Sequence, residues 1–494
     1  MRIPIDRDSE IPLYQQIETY IRQGILSGSI ASGTRLPASR VLANDLGVNR
    51  ITVENAYAEL EADNLVHSKV GSGTYVMPSY PTPSLPKDVP GAPWPLWQQD
   101  LEASRGSRLS DELETQITSS RHPDLIRFDS GVGDSILFPV EEFRKILQAV
   151  LRRDGLLALE YGDPLGYAPL RSTIAHVLAS QGLQTNPENI LITAGSQQAI
   201  TLAAQLLLKP GDAVIVESPT YARVLELLQT LQCRVVSIPV DDQGMQIDGL
   251  EILLQQHHPR LIYTIPNFQN PTGSCLSLNR RRHLLSLADR YNVPILEDDY
   301  VGDLRYEGHA LPALKALDPG GRVIYVSTFS KMLMPGLRVG FLVADGPVQA
   351  SLLHFKRMSD LATSNLAQRA LESFVTVGRY QAHLHRACQL YRKRRDTMLR
   401  AIRGSLPAGV QVCPPQGGLF IWMRLPEGLE NDQLLPLALA EGVSYAAGEC
   451  FFNNRKGGAG FMRLNFAAQS PERIETGIRR LGKAMRRLRP FTAK

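Results

Sequence analysis

Apolar and polar positions change their spacing several times along the chain, and each change marks an element. Over residues 11–27, "IPLYQQIETYIRQGILS", Ile17, Tyr20, Ile21 and Ile25 recur at helical spacing and Gly28 ends the run, which predicts an amphipathic helix. The stretch "RLPASRVLANDLGVNRITVENAYAELEADNLV" predicts two short amphipathic helices around the break "LGVN". Pro37 and Ser39 mark the start of the first, and Asn49 suits the N-cap of the second. The sequel "LVHSKVGSGTYVM" alternates about a turn bearing Gly71 and Gly73, which predicts a β-hairpin. Residues 78–95, "PSYPTPSLPKDVPGAPWP", hold seven prolines and continue neither a helix nor a ladder, so they predict a semi-stiff linker.

Beyond that linker, strand-like runs ("NILIT", "AVIVE", "LIYTI", "VPILEDD", "RVIYVST", "RVGFLVA") alternate with helix-like ones ("SQQAITLAAQLLL", "LSLNRRRHLLSLADRY"). That alternation predicts α/β architecture on a mostly parallel sheet, with functional groups at the carboxyl ends of its strands. The order helix, helix, turn, helix, hairpin at the front is a winged helix-turn-helix. At 494 residues the chain exceeds one core. The expected domains are 1–77 (winged helix), 78–108 (linker) and 109–494 (α/β domain).

Composition adds boundaries rather than identity. Hydrophobic residues make up 43% and charged ones 21%, as in an ordinary globular protein. No signal-like start and no membrane-length apolar run is visible, which predicts a cytoplasmic protein without membrane contact. The five cysteines lie far apart without a CxxC pair, so neither a disulfide framework nor a metal site is predicted. Residues 1–76 carry seven Arg/Lys against nine Asp/Glu, a balance of −2. Any DNA binding there must come from placed cations.

Four motifs fall at strand ends in the large domain. In "TAGSQQAI", Gly195 permits close backbone approach, and Ser196 with the first amides of the next helix suits an anion such as phosphate. A plain turn is the simpler alternative. In "PNFQNPTG", Asn270 is a neutral donor on a Pro-flanked loop, and "ILEDDY" ends a strand in three carboxylates and a tyrosine, which charge pattern alone would assign to a solvated loop. In "STFSKMLMPGLRVGF", Lys331 is either a surface charge or an amine able to form a Schiff base with an aldehyde cofactor, as pyridoxal phosphate requires.

"SPTY", "NPTG", "EDDY" and "SKMLMPGLRVG", in that order and spacing, resemble the fold type I aminotransferases over about residues 125–490. The resemblance implies pyridoxal 5'-phosphate as cofactor and Lys331 as its Schiff-base lysine. It places Asp298 on the pyridine nitrogen, Asn270 and Tyr300 on the ring hydroxyl oxygen, and Tyr221 stacked on the ring. Ser196, Gln197, Thr328, Ser330 and Arg338 would form the phosphate cup. Arg463, in "GFMRLNFA", matches the arginine that clamps a substrate carboxylate, and Arg223 is a second candidate anion contact or a surface arginine at a helix start.

Residues 12–76 resemble the GntR-type winged helix. The resemblance implies double-stranded operator DNA as partner, with Asn49, Arg50 and Thr52 at the start of the recognition helix, Arg40 on the preceding helix and Lys69 in the wing. Arg50 suits a bidentate contact to guanine. Glu54 departs from the family pattern, which can carry an arginine there. A protein-interaction winged helix is the alternative. The last helix, "IETGIRRLGKAMRRLRPF", sets Ile474, Ile478, Leu481, Met485 and Leu488 against an arginine-rich side, which is either a solvated face or a supplementary DNA surface.

The whole order resembles the MocR/GabR family of bacterial transcription regulators. It implies a homodimer that senses an amino-carboxylate, or pyridoxal phosphate itself, through aldimine chemistry at Lys331 rather than by sustained turnover. An aminotransferase with an appended DNA module is the alternative.

Overall fold

The computed structural model describes residues 3–7, 9, 11–69, 72–77, 97–98, 109–120, 122–376 and 378–488. The linker predicted over 78–108 lies outside them except for 97–98. The chain divides into two compact units, Met1–Ser104 and Arg105–Lys494.

In the first unit α1 (Leu13–Leu26), α2 (Ser39–Leu46) and α3 (Arg50–Ala62) precede an antiparallel hairpin of β1 (Val66–Lys69) and β2 (Gly73–Val76). Ile17, Ile21 and Ile25 are buried with Leu42, Val53, Ala56 and Leu60. Tyr20, predicted on that face, is 39% exposed, because the four-residue steps of the isoleucines already fill the seam and Tyr20 falls to one side. Asn49 caps α3 by accepting from the amide of Ile51 over 3.1 Å. α2 begins at Ser39 as expected, with Ala38 at the N-cap position, and the Ser39 hydroxyl donates to Glu54. Gly47 closes α2 at φ 64°, where a side chain would be strained, and Arg7 donates to its carbonyl over 2.8 Å. Leu36 N donates to Thr74 O and Val76 N to Thr34 O, so residues 33–36 flank the wing as a third extended segment.

In the second unit the strands are β3 (Ile126–Arg127), β4 (Ile190–Thr193), β5 (Ala213–Ser218), β6 (Arg234–Asp241), β7 (Gly244–Met245), β8 (Leu261–Thr264), β9 (Ile295–Asp298), β10 (Val323–Thr328) and β11 (Gly340–Val343). After them come β12 (Gln411–Val412), β13 (Phe420–Arg424), β14 (Val443–Ser444), β15 (Ala446–Ala447) and β16 (Phe461–Asn465). The main sheet runs β4-β11-β10-β9-β8-β5-β6-β7. β10, β9, β8, β5 and β6 are mutually parallel, and β11 runs antiparallel to both β10 and β4. β4, β8, β9, β10 and β11 are buried at every position, which explains their unbroken apolar runs in the sequence. A second sheet, β12-β13-β16-β15, is antiparallel, and β3 pairs with β14 in parallel.

The last helix, Pro471–Leu488, buries Ile474, Ile478, Leu481 and Met485 completely. Its basic side is engaged within the domain. Arg473 and Arg480 meet Asp124 at 2.7 and 3.0 Å, and Lys483 and Arg487 meet Glu441 at 2.9 and 2.7 Å. Among the described residues no helix is long and apolar enough to cross a membrane.

Candidate cofactor and effector site

The carboxyl ends of β4, β5, β8, β9 and β10 converge on a cavity of about 330 Å³. Its lining includes Ser196, Tyr221, Asn270, Asp298, Tyr300 and Lys331, together with Arg223 and Arg463. Gln197, Thr328, Ser330 and Arg338 do not line it directly. Arg338 lies at its margin, donating to Ala194 O over 2.9 Å and to Ser330 Oγ over 3.4 Å. Thr328 is 1% exposed, and its hydroxyl is held by Val339 O and by Ser330, so it braces Ser330 rather than facing the cavity.

Each acid of the "EDDY" motif has a separate environment, and the solvated-loop alternative is excluded. Glu297 accepts from the amides of Leu314 and Lys315, while Asp299 receives Tyr325 and Asn267. Asp298 accepts from Tyr263 Oη over 2.8 Å through Oδ2, and its Oδ1 is buried without a partner among the described residues. Burial pushes Asp298 up to about 7, with the Tyr263 bond pulling the other way. Burial, with Arg463 and Arg338 nearby, pulls Lys331 down to about 8. About a tenth of its amine is therefore neutral, and nucleophilic, at pH 7, far more than for an ordinary lysine.

Arg463 crosses the cavity. It donates to Asn270 Oδ1 and to Asp129 O, each over 2.9 Å, and its guanidinium lies 4.0 Å from the centre of the Phe420 ring. Its Nε is buried without a partner among the described residues, and burial pulls the group down to about 10. Asn270 spends its carbonyl oxygen on Arg463, so its amide N–H groups are the donors left for a ligand. Tyr300 donates to Phe268 O over 3.0 Å. Arg223 pairs with Glu226 at 2.9 Å and Glu114 at 3.7 Å, so its charge is already shared.

Several residues of the site carry no motif. Tyr263 reads as one more strand aromatic in "LIYTI", and only its register beside β9 brings it to Asp298. The loop at 129–131 enters the cavity because Asn465 Nδ2 donates to Ser130 O and Val132 O. A Cβ on Gly131 would lie 3.8 Å from Lys331 Nζ. Glu217, fully buried and pushed up to about 7, accepts from Thr264 Oγ1, Ile265 N and Gln269 Nε2. Gln269 Nε2 also donates to Pro219 O, which ties the loops after β5 and β8 together.

In the winged helix Arg40, Asn49, Arg50 and Lys69 are exposed and Thr52 half-buried. The oxygen of Asn49 is occupied by the cap, which leaves its amide nitrogen for other contacts. Arg50 Nε donates to Glu54 Oε1 over 2.7 Å.

An α/β domain with a lysine, an acid and an arginine converging at strand ends defines a cofactor-binding fold, preceded here by a DNA-binding one. Residues 128–481 match the model of aminotransferase class I and II, and residues 13–76 match the bacterial regulatory proteins of the gntR family. The HTH-type transcriptional regulator TauR of Rhodobacter capsulatus is 33% identical, covering 98% of this chain and 100% of its own. Aromatic-amino-acid aminotransferase 1 of Thermococcus litoralis is 38% identical over 77% of this chain and 92% of its own. The kynurenine aminotransferase of Pyrococcus horikoshii, solved with PMP, is 36% identical with a TM-score of 0.74, covering 79% of this chain and 97% of that one. The chain belongs to the class I and II aminotransferase family, among the helix-turn-helix regulators that carry such a domain behind a gntR module. The cofactor of the family is pyridoxal phosphate, and the residues present fit it: a buried orphan carboxylate oxygen, a depressed lysine and an arginine beside a helix N-terminus share one margin of the fold.

Proposed function

We propose that this protein is a cytoplasmic, homodimeric regulator of the MocR type that binds operator DNA through Arg40, Asn49, Arg50, Thr52 and Lys69. Pyridoxal phosphate, when bound, supplies an aldehyde and an electron-withdrawing ring. Lys331 presents the neutral amine to it, and Asp298 Oδ1 accepts from its ring nitrogen. Asn270 and Tyr300 meet its ring oxygen and Tyr221 covers its face. Ser196, Gln197, Ser330 and Arg338 receive the phosphate, with Thr328 as their brace. Arg463 and Arg223 bind an effector amino-carboxylate. The domains follow the boundaries 1–77, 78–108 and 109–494.

The observation that carries this assignment is the orphan Asp298 oxygen in one cavity with Lys331, within a chain that aligns end to end with a transcriptional regulator. The effector acts only through unequal affinity for two arrangements of the protein. A homodimer is supported by apolar side chains at Ile136, Val140, Leu156, Leu157, Leu159 and Tyr161 that are each more than 60% exposed.

The test is fluorescence anisotropy on a duplex selected from a random library, using cofactor-loaded wild type and Lys331→Ala across a panel of amino acids. At least one amino acid should change wild-type affinity about fivefold or more and leave the variant unmoved. No response in wild type would refute effector sensing. The cavity that Lys331 shares with Asp298 and Arg463 and the 38%-identical aminotransferase favour a second reading, catalysis with a DNA module attached. Sustained multiple turnover with amino acids and 2-oxo acids would make that reading primary.

A further inference from the structure

Glu54 stands one turn beyond Arg50 on α3. Arg50 donates to it from Nε over 2.7 Å, and Ser39 Oγ, in the first turn of α2, donates to the same carboxylate oxygen over 3.3 Å. The acid is thus braced from both helices of the motif. A guanidinium engaged through Nε keeps the hydrogens of Nη1 and Nη2, the pair that forms a parallel fork. Neither nitrogen has a partner among the described residues. The two side chains remain 63% and 44% exposed, so the fork is open to a ligand.

We propose that Glu54 is the specificity-determining residue of the recognition helix, holding Arg50 end-on for a guanine and keeping the guanidinium off the phosphates. This rests on the operator-binding function proposed above. An exposed arginine at a groove has two competing partners: phosphate, which supplies most of the affinity and no sequence information, and a base edge, which supplies the reverse. Glu54 biases that competition in two ways. Its charge is repelled by phosphate, and its bond to Nε removes the side-on approach while leaving the terminal pair that matches guanine O6 and N7. In a segment of charge −2, an added acid on the recognition helix lowers affinity for DNA in general. What it adds is selectivity, because a well-held bidentate contact separates right from wrong base by roughly five- to 150-fold.

The test uses the full chain. Wild type, Arg50→Ala, Glu54→Ala and Glu54→Gln are each put through selection from a random duplex library. Affinities are then measured for the wild-type site, the same site with its guanine replaced, and an unrelated duplex. Wild type should enrich a guanine that Arg50→Ala loses. Glu54→Ala should lower preference for that guanine at least fivefold while binding the unrelated duplex more tightly. Glu54→Gln, which keeps an acceptor for Nε but no charge, should retain the preference and still tighten unspecific binding. The proposal is overturned if Glu54→Ala keeps the guanine preference within twofold, or weakens all three duplexes alike as a merely structural lesion would. Failure of wild type to enrich any sequence would overturn operator reading itself, a different outcome from failure of Glu54's role.

Discussion

Tyr263→Phe removes one hydroxyl and tests how Asp298 is held for the cofactor. The side chain is 1% exposed and its hydroxyl donates to Asp298 over 2.8 Å, while the other carboxylate oxygen has no partner among the described residues. Phenylalanine keeps the ring and leaves the carboxylate without this donor. A hydrogen bond to a buried charge is worth about 1.5–3 kcal/mol, and each 1.36 kcal/mol is about a tenfold change in ionisation. Asp298 titrates at about 7, so half of it is ionised at pH 7. In the variant the ionised share falls to roughly a twelfth or less, and affinity for pyridoxal phosphate should drop about six- to eightyfold. At pH 9 wild type is almost fully ionised and the variant about two-fifths or more so, which shrinks the deficit to less than about threefold. Equilibrium dialysis at pH 6, 7, 8 and 9 reads the ratio directly. A deficit that stays constant across that range would refute the reasoning, since it would mean that Tyr263 acts by packing.

Other expectations follow from the same geometry. Capture of pyridoxal phosphate by Lys331, followed by visible absorbance, should accelerate as pH rises and level off above about 8, because burial lowers this amine and only the neutral form attacks; acceleration continuing to pH 10 would mean an unperturbed lysine. Arg463→Lys should weaken amino-acid binding at least tenfold and cofactor binding by less, through Asn270 alone, since one ammonium cannot span Asn270, Asp129 O and a ligand carboxylate; calorimetry with and without amino acid separates the two. Gly340→Ala would place a Cβ 2.7 Å from the Gly195 carbonyl carbon, on backbone that cannot yield cheaply, so a loss of about 1–3 kcal/mol in denaturant titration should accompany weaker cofactor binding. Asn49→Ala removes the α3 cap and should cost about 0.5–2 kcal/mol of stability.

The sequence discloses features that repeat or stand at fixed spacing. The isoleucine steps of α1, the Asn49 cap, the apolar strands and the four motifs at their ends are all local, so a single sequence suffices. What it hides depends on register between distant strands. Tyr263 and Asp298 are 35 positions apart and meet only because β8 lies beside β9. The loop at 129–131 reaches Lys331 through Asn465, over 330 residues further on. Tyr20 misleads because helical spacing fixes a sector of the helix, while the width of the buried stripe depends on what packs against it. Ser39 marks the start of α2 as its position suggests, but nothing local shows that Glu54 on the next helix takes its hydroxyl.

Glu217 links the loops that carry Tyr221 and Asn270, through Gln269 and Pro219 O on one side and Thr264 and Ile265 on the other. Two residues suspended from one clasp are not independent measurements. Free-energy losses from substituting Tyr221 and Asn270 should fail to add, and the interaction energy read by a double-mutant cycle between them should shrink towards zero when Glu217 is replaced. An account of ligand recognition that sums these residues one at a time will therefore count the clasp twice.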